Sequence, residues 1–252
     1  MTDLAPIVWL GLLLLRPGML LTTAPAFGTG FAPAPVRLGL LLIIGLTLMP
    51  MVAIPAIGGV GSLTLIAARE TVIGLALGLS VRVLLAGVEL AGYLAGFQLG
   101  FSYAALVDPM SGARNNIMSA FYGMFALMIF LLVDGHHQML RALAASYDAL
   151  PLGMGGVSDS LPLLVARSLG FVFILGAQLA APVVLVLLVV ELALGVMARA
   201  VPALNLMVVG APARLLVGLI VIAATVHVLP PVVRGVIPSM LDLAARMAAA
   251  FR

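Results

Sequence analysis

The sequence predicts an all-α membrane protein built from long, kinked helical hairpins. Of its 252 residues, 64% are hydrophobic and only 8% are charged, and the mean hydropathy is +1.30. A soluble domain is about half apolar and a quarter charged, because polar groups must cover its surface. The apolar runs are continuous and do not alternate, which favours helices over barrel strands. Since no polar stretch is long enough for a soluble domain, residues 1–252 are expected to form a single membrane domain.

The charge pattern excludes several classes of function. The formal net charge is +3, and all 12 basic residues are arginines that stand singly in apolar sequence. A nucleic-acid-binding face needs clustered basic residues, so no nucleic-acid partner is expected. The chain has no cysteine, which excludes disulfides and thiol catalysis. Only Asp3 precedes the first apolar run, so this run is expected to be a retained first helix and not a cleaved signal.

Uncharged stretches mark the candidate helices, and several reach the roughly 20 residues that a helix needs to cross a bilayer. They are Leu4–Leu15, Leu38–Ala68, Leu90–Val107, Asn115–Val133, Ser168–Val190 and Leu215–Val233. Two wider regions, Leu63–Val107 and Leu163–Met197, are apolar over more than one crossing. The second would extend about 50 Å as a straight helix, against a hydrocarbon core of about 30 Å. Each is therefore expected to bend, to turn back or to project among protein partners.

Proline and glycine mark the connections between these stretches. The connections are Thr23–Pro35, Gly100–Asn116, Asp134–His136 and Leu150–Pro162. Pro230, Pro231 and Pro238 are expected to break up the C-terminal region. A short amphipathic helix over 239–252 is then predicted, with Ser239 as its N-cap. Its apolar face would carry Met240, Leu243, Met247 and Phe251, opposite Asp242 and Arg246.

Five charged residues lie inside apolar sequence and are expected to be buried among helices: Arg69, Glu70, Arg82, Glu89 and Glu191. An ionisable group at membrane depth costs several kcal/mol unless it is paired or hydrated. Arg82 and Glu89 lie two helical turns apart on one face, which fits a structural ion pair. The alternative is a proton relay through the three glutamates, which would be typical of an ion-coupled secondary transporter.

A row of glycines at a spacing of four is the clearest packing signal. The row contains Gly74, Gly78, Gly92, Gly96 and Gly100. Glycines on one helix face let two backbones approach closely. The row therefore predicts assembly with partner subunits, and packing within this chain alone is the alternative.

No catalytic site, metal site or cofactor is predicted. The sequence contains no G-x-S-x-G, no HExxH and no phosphate-binding loop. The run Asp134–His137 contains two histidines, but adjacent side chains are expected to point apart. It is therefore interpreted as a polar helix end at the membrane surface, and the protein is not expected to be an enzyme.

The loop that follows the glycine row is either a pore plug or an ordinary surface loop. Irregular backbone at membrane depth is tolerated only where it is buried in protein or lines a cavity. The candidate plug or constriction residues are Val107, Asp108, Pro109, Met110, Ser111, Gly112, Arg114, Asn115 and Asn116.

Several short motifs follow one another in a characteristic order. They are Leu15–Pro17, Glu70–Gly78, Val107–Pro109, Asp134–His136, Glu191–Gly195 and Gly210–Pro212. In this order, over almost the whole chain, they resemble the FliR/SctT family of type III secretion export-gate membrane proteins. Ala203 departs from the pattern, since glutamine is common there.

The resemblance implies a subunit that assembles with FliP-like and FliQ-like subunits into a channel for unfolded flagellar export substrates. FlhB would wrap the cytoplasmic opening, and FlhA would lie nearby. The resemblance also implies a FliP-like unit fused to a FliQ-like unit, a place in the bacterial inner membrane at the flagellar basal body, and a plug formed by the loop Gly100–Asn116. An injectisome subunit of the same family and an ion-coupled transporter stay open as alternatives.

Overall fold

The structure is a computed structural model that describes residues 5–25, 27–28, 32–53, 59–101, 116–154, 156, 161–201 and 206–251. Nearly all of these residues are helical and none forms a strand, which confirms the all-α prediction. The helices are α1 (Ala5–Thr23), α2 (Ala34–Leu48), α3 (Val60–Gln98), α4 (Ile117–Leu132), α5 (Gly135–Ala149), α6 (Leu161–Ala200), α7 (Leu206–Thr225) and α8 (Leu229–Ala249). Short 3-10 helices follow α2 and α7, at Met49–Met51 and Val226–Val228.

Several of these helices are long enough to cross a membrane. In the described part of the chain, five helical stretches are long and apolar enough to cross a membrane, or six if the bent pair of α4 and α5 counts as one span. The over-long region Leu163–Met197 lies within one helix, the 40-residue α6. The other region, Leu63–Val107, is helical as far as Gln98 in the 39-residue α3, and its residues 102–107 lie outside the described part of the chain. At about 1.5 Å per residue each helix is close to 60 Å long. Neither helix turns back within its bounds, so bending and projection beyond the lipid stay open as expectations, and Pro182 lies inside α6.

The helices of the chain group into two compact units, and the single membrane domain expected from the sequence stays a prediction. The first unit contains Met1–Leu84, Phe130–Leu169 and Gly235–Arg252, and the second contains Leu85–Ile129 and Gly170–Arg234. Each unit has a core of its own. Fully buried side chains of the first are Leu13, Leu20, Ile73, Leu143 and Met247, and those of the second are Leu85, Val88, Val183, Leu187 and Val233.

In the first unit, Gly74 and Gly78 place α3 directly against α1. A Cβ built on Gly74 would lie 2.9 Å from Met19 Cβ and 3.0 Å from Arg16 Cα, and would also overlap the Arg16 carbonyl oxygen. A Cβ built on Gly78 would overlap the Thr23 side chain. Only glycine allows this approach, so the small face of α3 sets the distance between the two backbones.

In the second unit, Gly92 and Gly96 place α3 against the start of α4. A Cβ on Gly92 would lie 2.8 Å from Tyr122 Cβ, and one on Gly96 would overlap the Asn116 amide. Gly100 has φ 86°, the left-handed conformation that ends helices and that glycine adopts without strain. The close approach predicted for the row is thus present within the chain at four of its five members. Assembly with other subunits through these glycines stays a prediction.

The C-terminal helix differs from its prediction at its start. It begins at Leu229, ten residues before the expected N-cap at Ser239, and Pro238 lies inside it. Pro230 and Pro231 occupy its first turn, where a missing N–H breaks no helical hydrogen bond. The amphipathic character is present, since Met240, Met247 and Phe251 are buried. Arg246 and Asp242 form an exposed ion pair on the other side.

Candidate functional site

A buried ion pair joins α1 to α3 in the first unit. Arg16 and Glu70 both have fully buried side chains. Arg16 Nε lies 2.7 Å from Glu70 Oε2, and Arg16 Nη2 lies 3.1 Å from Glu70 Oε1. This two-point geometry between guanidinium and carboxylate is the strongest form of the interaction. Because Gly74 lies one turn after Glu70 on the same face of α3, the backbones are close enough for the pair to form.

Other groups also contact the Arg16 guanidinium. Nη1 donates to Ser146 Oγ at 3.0 Å, and Nη2 donates to the carbonyl oxygen of Leu150 at 3.2 Å. The guanidinium carbon lies 4.1 Å from the centre of the Tyr147 ring. That ring face attracts a cation electrostatically. We call Arg16, Glu70, Ser146 and Tyr147 the Arg16 cluster.

The remaining polar atoms of the cluster are also satisfied. Glu70 Oε1 accepts a hydrogen bond from the Gly153 N–H at 3.3 Å. The Tyr147 hydroxyl donates to the carbonyl oxygen of Leu13 at 3.0 Å, and the Ser146 hydroxyl donates to that of Leu143 at 2.6 Å. The cluster thus ties together α1, α3, α5 and the turn after α5. It has the features of a structural ion pair, because Arg16 holds both the Glu70 carboxylate and the Ser146 hydroxyl.

In the second unit, Asn116 fastens the start of α4 to α3. Its side chain donates to the carbonyl oxygen of Tyr93 at 3.1 Å and accepts from the Met118 N–H at 2.9 Å. On the other side of the loop, the Phe101 N–H donates to the carbonyl oxygen of Gly96 at 3.0 Å. Phe101 and Asn116, the described residues on either side of 102–115, are therefore both held next to Gly96. Of the predicted plug, Val107 to Asn115 lie outside the described residues.

A second ion pair joins α6 to α7 in the second unit. Arg214 Nη1 lies 3.3 Å from Glu191 Oε1, and about a third of each side chain is exposed within the chain (37% and 34%). A partly exposed ion pair on two apolar helices does not suit a lipid-facing surface. It suits a surface covered by protein or water.

The five charged residues that were predicted to be buried differ in how exposed they are. Within this chain Glu70 is buried, Arg69, Glu89 and Glu191 are half-buried, and Arg82 is exposed. Arg82 therefore departs from the expectation of burial within this chain. Sequence reasoning missed Arg16 as a buried charge, although an arginine between apolar residues at membrane depth costs several kcal/mol unless it is paired or hydrated. The acidic residue that pairs with Arg16 could not be identified from spacing along the sequence alone.

The run Asp134–His137 has a different geometry from the one expected. It follows the end of α4 at Leu132 and also opens the next helix, since α5 begins at Gly135 and Asp134 precedes it in the left-handed conformation. The two histidine side chains do not point apart, because their ring centres are 4.2 Å from each other.

Comparison with known proteins defines the class of the chain. Residues 7–240 match the family described as "Bacterial export proteins, family 1". The chain belongs to this family, which consists of secretion components and is not an enzyme family.

Comparison with individual relatives shows which export system the chain belongs to. The chain is 33% identical to the flagellar biosynthetic protein FliR of Pectobacterium carotovorum subsp. carotovorum, over 90% of the chain and 87% of the relative. It is 32% identical to FliR of Bacillus subtilis (strain 168), over 89% and 88%. It is 31% identical to FliR of Escherichia coli (strain K12), over 94% and 92%. The chain is a membrane protein of the flagellar type III export apparatus, and the resemblance noted from its motifs is confirmed.

Proposed function

We propose that this chain is one subunit of a hetero-oligomeric export gate in the bacterial inner membrane, with no catalytic activity of its own. Its partners are FliP-like and FliQ-like subunits that together enclose the channel for unfolded flagellar proteins. FlhB lies at the cytoplasmic opening and FlhA lies nearby. The names of the relatives support the flagellar assignment over an injectisome.

The exposed apolar face of α6 carries this proposal. Exposed hydrophobic side chains follow the helix from one end to the other: Leu163, Leu169, Phe173, Leu185, Val189, Leu192 and Val196. From the first to the last is about 50 Å at 1.5 Å per residue. If α6 were straight, a lipid core of about 30 Å would cover this length only at a tilt of about 53°, beyond the usual range of about 0–40°, and a bend at Pro182 would turn one half away from that axis. Protein partners therefore cover part of it.

The ion pairs support a gate subunit over a proton relay. Glu70 is bound by Arg16 in the first unit, and Glu191 is bound by Arg214 in the second. A relay needs carboxylates that exchange protons along a path. Two of the three glutamates that suggested a transporter are instead held by arginines.

Expression of the chain alone is expected to give aggregated or degraded protein, because the apolar faces of α6 and α7 stay uncovered by subunits. Co-expression with FliP-like and FliQ-like subunits is expected to give a stable complex from which all of these subunits co-purify in mild detergent. Immunoblots of the membrane fraction and size-exclusion chromatography measure both results. A stable, monodisperse monomer obtained without partners would contradict the proposal.

We also propose that Val107 to Asn116 plugs the resting channel, on the strength of the family resemblance and of the anchored loop ends beside Gly96. Deletion of Met110–Arg114 is expected to leave the complex assembled but leaky to ions, because Asn116 and its contacts stay in place. Conductance of the purified complex in planar bilayers measures the leak, and the Met110→Ala complex is the milder comparison. If the deletion complex conducts no more ions than the parent complex, the segment is an ordinary surface loop and not a plug.

A further inference from the structure

Three potential metal ligands meet at the junction between α4 and α5, in the first unit. One ligand atom from each of Asp134, His136 and His137 lies within 4.8 Å of the other two. The shortest separation is 3.2 Å, between Asp134 Oδ1 and His137 Nδ1. Asp134 is the one non-glycine residue with positive φ (57°) in the described part of the chain. An uncommon backbone conformation therefore positions one of the three ligands.

The separations suit a small divalent ion. Zinc bonds to nitrogen and oxygen are about 2.0–2.1 Å long, so two ligands at a tetrahedral angle lie about 3.4 Å apart. The pair of Asp134 and His137 is already at 3.2 Å, and both side chains are more than half exposed (72% and 61%). They are free to close on an ion. Two imidazoles with one carboxylate favour zinc, nickel or copper over calcium and magnesium, which prefer oxygen ligands.

A second observation concerns His136 itself. Its Nδ1 atom is buried and has no hydrogen-bond partner among the described residues. A buried polar atom without a partner costs about 1–3 kcal/mol, and coordination of a metal ion would satisfy an imidazole nitrogen of this kind. The hydrogen bond between Asp134 and His137 accounts for those two side chains but leaves this atom unexplained.

The electrostatics limit the affinity of the site. Arg141 is exposed and lines the same surface groove as Asp134 and His137. The N-terminal end of α5 also carries partial positive charge, which disfavours a cation. Asp134 supplies one negative charge against both. The balance fits an open site with a few protein ligands and water, and not a closed structural zinc centre.

We propose that Asp134, His136 and His137 bind one divalent transition-metal ion of the zinc type, with water completing the coordination. The ion joins Asp134 to the first turn of α5 and so stabilises the junction that precedes this helix. The metal site does not depend on the export function proposed above. Its test measures zinc binding, whereas the test of the export function measures assembly with the other subunits, so either proposal can fail without the other.

Zinc binding to the purified export complex tests this inference. The complex carries a purification tag without histidine, is stripped with chelator, is dialysed against zinc chloride and is analysed for bound metal and by titration calorimetry. For each copy of this chain in the complex, we expect about one more zinc ion than in the His137→Ala or Asp134→Asn complex, with affinity reduced at least about tenfold in each variant. Magnesium in excess is expected not to compete.

His227→Gln is the matched control, because it changes the remaining histidine of the chain, which lies in the second unit. It is expected to keep full zinc binding. If His137→Ala fails to assemble, Asp134→Asn decides the question, since asparagine also tolerates the left-handed conformation. Equal zinc binding by the parent and Asp134→Asn complexes, or equal loss in His227→Gln, would overturn the proposal.

Discussion

Arg16→Ala is expected to destabilise the first unit by about 3–5 kcal/mol, the usual cost of leaving one member of a buried ion pair unpaired. The substitution leaves the fully buried Glu70 carboxylate without its positively charged partner. It also removes the hydrogen-bond donor to the Ser146 hydroxyl and to the Leu150 carbonyl oxygen. A domain is stable by only about 5–15 kcal/mol, so most of the chain is expected to be degraded in cells. Pulse-chase half-life and thermal unfolding of the complex measure the loss.

The exposed pair of Arg246 and Asp242 is a matched control. Its Nε–O distance is also 2.7 Å, but its side chains are 65% and 59% exposed. Arg246→Ala is expected to cost at most about 1 kcal/mol, since water screens such a pair. The double substitution Arg16→Met with Glu70→Leu removes both charges and is expected to recover much of the stability. If Arg16→Ala costs no more than Arg246→Ala, the Arg16 cluster does not hold this unit together.

Gly74→Ala is expected to damage the packing of α3 on α1, with a cost of about 1–3 kcal/mol from overpacking. The new methyl group would meet the backbone of Arg16, which cannot rotate away as a side chain can. Relief requires α1 and α3 to separate, and this also lengthens the bond between Arg16 and Glu70. Assembly yield and thermal unfolding of the variant complex measure the effect.

Gly61→Ala is the matched comparison in the same helix. Nothing lies within 4 Å of a Cβ built there, so alanine gains up to about 1 kcal/mol of helix propensity over glycine. The two substitutions add the same methyl group and are expected to act in opposite directions. Equal effects would mean that α1 and α3 do not pack closely at Gly74.

The sequence predicts the secondary structure well because the bilayer imposes it. Long uncharged stretches without alternation leave the helix as the single viable choice, and α3 and α6 follow the two over-long regions. The glycine period also predicts a shared face and a close approach. It carries no information about which helix approaches, so the packing on α1 and α4 could not be predicted.

Proline positions gave a wrong boundary at the C-terminus. Pro238 removes one backbone hydrogen bond and would end an isolated helix. In the structure α8 continues through it, because Ile237 and Met240 on either side are buried and their packing offsets the loss. Tertiary contacts of this kind are absent from a linear pattern. The pairing of Arg16 with Glu70 was missed for the same reason, since their proximity arises only when α1 packs on α3.

The separation of Arg16 from its partners sets an order of events during synthesis. Glu70 follows Arg16 by 54 positions and Leu150 follows it by 134. At about 5–20 residues per second, the ribosome adds Glu70 about 3–11 s after Arg16 and Leu150 about 7–27 s after it. Until then α1 carries an uncompensated guanidinium, which its long side chain extends toward the membrane surface. The speed of translation therefore sets the shortest time after which the pair of Arg16 and Glu70 can form.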